Sequence, residues 1–113
     1  MVVKSQDYAV KDTPIVLTVH IGDGQAGGTA VTLDGVPVSM RSPGLWTLGR
    51  EGQNLRGSVA VCVTTVKDEN PNTNHTSVTH VLTGGVAERR HLYETSVPAD
   101  GATEIYVITY FLG

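Results

Sequence analysis

The chain reads as a succession of short alternating segments separated by glycine, proline, asparagine and aspartate. Over residues 14–21, Ile15, Leu17, Val19 and Ile21 alternate with Val16, Thr18 and His20, the period of two that half-buries a strand. A glycine-rich link covers residues 22–28. Residues 30–33 and 36–40 then flank Asp34-Gly35, a pair that tolerates positive φ at both positions and so closes a two-residue hairpin. Residues 41–44 turn the chain, and residues 45–48 supply another short strand. Beyond the polar stretch 49–54, residues 58–66 (SVAVCVTTV) are apolar or small on both faces and rich in β-branched side chains, as in a central strand covered on both sides. A loop over 67–75 leads to a strand at 76–83, and Gly84-Gly85 predicts a tight hairpin into residues 86–97. The last strand, 103–112, sets Ile105, Val107 and Phe111 against Tyr106, Ile108 and Tyr110.

No segment sustains a 3.6-residue period with capping residues. Residues 86–96 (VAERRHLYETS) come nearest, and a short helix is the competing reading there. About eight short strands predict an all-β fold, a single domain over residues 1–113 built as a small antiparallel β-sandwich or Greek-key barrel. A chain of 113 residues buries enough surface for one core and leaves no room for a second domain.

Composition narrows the classes of function. The net charge is −3, and the one basic cluster is Arg89-Arg90-His91, so the continuous basic face that a nucleic acid requires is missing. No apolar run approaches membrane-spanning length, and the N-terminal MVVKSQDYAV lacks the apolar core of a signal peptide. The expected location is therefore cytoplasmic, or outside the cell by export without a visible signal peptide. Cys62 is the single cysteine, which excludes an intramolecular disulfide.

Motifs that resemble chemical sites meet structural objections. Gly22-x-Gly24-x-x-Gly27 follows a strand, as a dinucleotide-binding turn does, yet residues 30–33 run directly into a hairpin and leave no space for the helix that would hold a pyrophosphate. Asp68, Asn70 and Asn72 alternate like the oxygen ligands of a calcium loop. The positions that should hold glycine and glutamate are Thr73 and Thr79, so a plain hairpin loop is expected, with Asp68 as the one metal candidate and calcium bound weakly or not at all. Asn74-His75-Thr76 also matches a glycosylation acceptor. The histidines 20, 75, 80 and 91 do not converge at zinc-ligand spacing, and His80 is expected to point inward with a hydrogen bond. Cys62, between Val61 and Val63, reads as a desolvated, inert thiol. Gly57-Ser58 lacks the context of a nucleophile elbow. No cofactor is implied.

What remains is a non-catalytic structural or protein-interaction module, part of a larger assembly, whose partner is another protein or a second copy of itself. The alternative is a carbohydrate-binding domain, with Trp46 as the aromatic platform and Asn70, Asn72 and Asn74 as polar partners; a glycan is its ligand. A small hydrolase is the third reading. For the homo-oligomer, at least one of Tyr106, Ile108 and Tyr110 is expected to approach the partner, because the last strand is apolar on both faces.

Overall fold

The alternating segments pair into two sheets that bury one face each. The computed structural model describes all residues, Met1–Gly113. It contains β1 (Val2–Tyr8), β2 (Ile15–Ile21), β3 (Ala26–Leu33), β4 (Val36–Val38), β5 (Leu45–Gly49), β6 (Val59–Lys67), β7 (His75–Thr83), β8 (Arg89–Ser96) and β9 (Thr103–Leu112), with one turn of 3-10 helix at Gly52–Leu55. The five-stranded sheet has the order β1-β9-β6-β3-β4 and the four-stranded sheet the order β5-β2-β7-β8. All pairings are antiparallel except that of β1 with β9. The fold is a small β-sandwich.

Several local expectations hold for the reasons given. Asp34 and Gly35 both adopt positive φ, 50° and 81°, and join β3 to β4. Residues 86–96 take the strand and not the competing helix: residues 89–96 are β8, which pairs with β7 along its whole length. Others need correction. Gly84-Gly85 is not a two-residue hairpin, because β7 ends at Thr83 and β8 begins only at Arg89. The pair is instead packed on the N-terminal segment, where Gly85 N–H donates to the Tyr8 hydroxyl at 2.9 Å and a Cβ on Gly84 would lie 1.7 Å from Pro14 O. The glycine-rich link is partly strand. Gly27 belongs to β3, where a side chain would collide with the Thr65 carbonyl 2.1 Å away.

The core follows from size matching across neighbouring strands. On β6 the inward residues are small, Ala60, Cys62 and Thr64, and they lie directly opposite Tyr110, Ile108 and Tyr106 of β9. Small beside large gives the two tyrosines room to cross the sandwich. Tyr106 reaches β7, its hydroxyl 2.6 Å from Thr76 Oγ1; Tyr110 reaches the same strand, its hydroxyl 2.7 Å from His80 Nδ1. The sheets are thus joined by two buried polar ties as well as by aliphatic packing of Ile15, Leu17, Val31, Val78 and Leu82.

This packing corrects the interface expectation. Tyr106, Ile108 and Tyr110 are each 0% exposed and enclosed by the chain's own two sheets, so no partner reaches them. The outward residues of β9 are the alternate set: Ile105, Val107, Thr109 and Phe111.

Candidate functional site

The deepest cluster of chemically versatile groups lies around His80. Its Nε2 is 3.8 Å from Cys62 Sγ, its Nδ1 contacts the Tyr110 hydroxyl, and that hydroxyl is 3.3 Å from the Tyr93 hydroxyl. A cysteine beside a histidine resembles a nucleophile and its base, but burial removes the chemistry. Desolvation pushes the Cys62 thiol up to about 12 and holds the His80 imidazole down to about 4, helped by His91 on the adjacent strand. Both stay neutral near pH 7, and no thiolate forms. The inward, hydrogen-bonded placement of His80 is the one its alternation with Val78 and Leu82 implies.

A second polar cluster gathers where β6 ends. Pairing of Lys67 with Thr103 brings residue 68 against the turn before β9: Asp68 N–H donates to Ala102 O and Gly101 N–H to Asp68 O, both at 3.0 Å. Pairing of His75 with Ser96 places Asn74 beside the same turn, and Val97 N–H donates to Asn74 O at 2.8 Å. The Asn74 amide end consequently lies 2.8 Å from Asp68 Oδ2 and 2.6 Å from Asp100 Oδ1. Asp68 is 2% exposed, and its Oδ1 has no hydrogen-bond partner.

The loop between β6 and β7 is held by a residue that the sequence did not single out. Gln25 is buried; its Oε1 accepts from the backbone of Glu69 and Asn70 at 2.8 and 2.9 Å, and its Nε2 donates to Thr73 O and His75 O at 3.3 and 3.0 Å. Asn70 turns away from Asp68, donating to Asp23 O at 2.9 Å while its Oδ1 accepts from Asn72 N–H at 3.0 Å. The alternation of Asp68, Asn70 and Asn72 therefore builds a turn, not a ligand ring. Asp68 meets Asn74 and Asp100 instead. No three His, Cys, Asp or Glu side chains converge anywhere in the chain. The glycosylation pattern is closed off too, since Thr76 is wholly buried and Asn74 is engaged with the turn.

Trp46 lies on β5 opposite Leu17 and is 3% exposed, which leaves no ring face for a sugar to stack on. It forms part of the wall of an open cleft of about 450 Å³ with His20, Gly28, Thr29 and Met40. None of Asn70, Asn72 and Asn74 joins that wall, so the structure separates the proposed platform from its polar partners.

The two outer faces differ in character. On the four-stranded sheet the outward residues mix His20, Arg90 and Glu94 with threonines and with Val16, Val81 and Leu92, the last 58% exposed. On the five-stranded sheet the central outward residues are Val61 and Val63 of β6, Ile105, Val107 and Phe111 of β9, and Ala30 of β3; Ile105 and Phe111 are 39% and 47% exposed. Comparison with protein-family models, curated proteins and solved structures returns no match, so function must be read from these features alone.

Proposed function

We propose that the chain is a non-catalytic interaction module that docks a second copy of itself through the outer face of its five-stranded sheet. The observation that carries this reading is the absence of charge from the middle of that face, where valine, isoleucine, phenylalanine and threonine stand exposed or half-exposed on β3, β6 and β9. Strand addition is a poor alternative. Three of the four edge strands are blunted, by Lys4 and Asp7 on β1, by the three-residue length and Pro37 of β4, and by Arg89, Arg90 and Glu94 on β8, and the fourth, β5, is only five residues long.

Size supports a like partner. Strands of 7, 10, 9, 8 and 3 residues, spaced about 4.8 Å apart and rising about 3.3 Å per residue, present roughly 600 Å². That approaches the ~800 Å² per partner of an ordinary stable interface. The uncharged centre of the face is complementary to its own copy, with Asp7 and Lys67 standing only at the periphery. Sedimentation equilibrium of the full chain between about 5 and 200 µM tests the proposal. A dimer is expected, dissociated by Val107→Lys with the β circular-dichroism spectrum retained. A monomer at the highest concentration, or a dimer indifferent to Val107→Lys, overturns it.

A further inference from the structure

We propose that Asp68, Asn74 and Asp100 form a site for an oxygen-seeking divalent cation, calcium above others, which joins the β6–β7 loop to the turn between β8 and β9. The first support is the state of Asp68. Its carboxylate is 2% exposed, its Oδ1 is unpartnered, and no cationic group lies within ion-pair distance, since the ion pairs of the chain involve Glu104, Asp23 and Glu94. A buried carboxylate with neither counter-charge nor full hydrogen bonding is costly to keep. A cation removes that cost.

The second support is geometric. With its NH2 group toward the carboxylates, Asn74 donates to both of them, yet Asp68 Oδ1 and the two negative charges remain unmet. With its oxygen turned there, that oxygen stands 2.8 Å from Asp68 Oδ2 and 2.6 Å from Asp100 Oδ1, and Asp68 Oδ1 stays free on the same carboxylate. Adjacent equatorial ligands about a calcium ion at ~2.4 Å stand about 2.8 Å apart. The amide can therefore serve both states, as a hydrogen-bond bridge when the site is empty and as a ligand when it is filled. Water completes the coordination on the exposed side of Asp100.

The third support is that the donors are already in place. Gln25 fixes the loop, the Asp68–Ala102 and Gly101–Asp68 backbone bonds fix the turn, and Val97 N–H fixes Asn74. The set contains no thiolate and no imidazole, because His75 is directed to Asp23 at 3.0 Å. That chemistry selects calcium or magnesium over zinc and copper. Two carboxylates and an amide place the affinity near that of the weaker calcium modules, with Kd about 10⁻⁴ to 10⁻³ M.

The test uses the full chain freed of metal by chelator. Raising CaCl2 to 10 mM, against NaCl of equal ionic strength, should raise the Tm by about 5 °C or more. The same titration should move the amide resonances of residues 68, 74 and 100 to saturation. Asp68→Asn and Asp100→Asn should each abolish both responses. Asp100 is exposed in a turn, so its variant folds and decides the matter if Asp68→Asn does not fold. A Tm and spectrum unmoved at 10 mM overturn the proposal. A response that survives Asp100→Asn, or that NaCl reproduces, overturns it equally.

Discussion

His80 and Asp68 are both ionisable and both buried to 2% exposure or less, yet the protein treats them differently. His80 sits in the middle of β7, where the registers of three other strands deliver Cys62, Tyr110 and Tyr93 to it. Each ring nitrogen has a partner, and the neutral imidazole fits them. Asp68 sits just past the end of β6, where loop backbone replaces strand and the neighbours are an amide and a second carboxylate. The strand interior solves its polar problem with fixed protein partners and closes the door to chemistry. The strand end leaves one oxygen without a partner, which is where a protein acquires a ligand.

The largest expected effect belongs to the satisfied cluster. The folded chain holds His80 down to about 4, whereas the unfolded chain takes up its proton near the ordinary 6.5. Between those values the unfolded state binds more protons, so stability is full above pH 6.5 and falls as the pH drops toward 4. The 2.5-unit separation amounts to about 3 kcal/mol, of which about 2 kcal/mol is lost by pH 5. The groups facing the ring are Cys62, Tyr93, Tyr110 and His91, with Arg89 beyond His91, and no carboxylate among them rescues the imidazolium. Urea unfolding from pH 7.5 to 5 measures the loss, and His80→Gln should flatten most of it. A wild-type profile that is flat to pH 5 would mean that the cluster opens to protons and solvent, and the contrast with Asp68 would fail.

Removing a hydroxyl from each tie ranks next. Tyr110→Phe strands His80 Nδ1 and takes a partner from Tyr93, for a cost of about 2 kcal/mol, or roughly 8 °C in Tm. Tyr106→Phe should cost about half as much, because Thr76 Oγ1 still donates to Thr95 O at 3.0 Å. Equal losses would show that the ties act through packing alone.

The sequence showed the strands more clearly than the sites, and particular residues say why. Strands that pack against neighbours on both sides announce themselves by period or by β-branching, as β2 and β6 do. β1 was not legible, because an edge strand leaves most of its side chains in water and only Val2, Gln6 and Tyr8 are even partly covered. The parity of β9 was ambiguous, since both alternate sets are apolar. The small residues Ala60, Cys62 and Thr64 on β6 could have resolved it, because only tyrosines on the same face would fill the space they leave. Asp68 was visible as an oxygen donor and the plain turn at Asn70 and Asn72 was expected, but the neighbours Asp68 meets were not visible. A period of two along a loop says nothing when Gln25, from the link between β2 and β3, fills the loop's centre. Asp100 joins only because β6 pairs with β9 and β7 with β8, a proximity that no local spacing encodes.

The smallest effect carries the sharpest contrast, because its sign is opposite. In metal-free solution, Asp68→Asn keeps an oxygen that can accept from Asn74 while removing a buried charge that lacks a counter-ion. Stability should therefore hold or rise, by about 0.5–1 kcal/mol, roughly 2–4 °C in Tm. At a satisfied site such as that of His80, the same kind of exchange costs stability. With 10 mM CaCl2 present the order should invert, the wild type melting above the variant, because only the wild type gains from the bound cation. Paired melts of the two proteins with chelator and with calcium read both signs in one experiment. A metal-free variant that melts several degrees below the wild type would show that the Asp68 carboxylate is already satisfied within the fold, and the two clusters would then be alike.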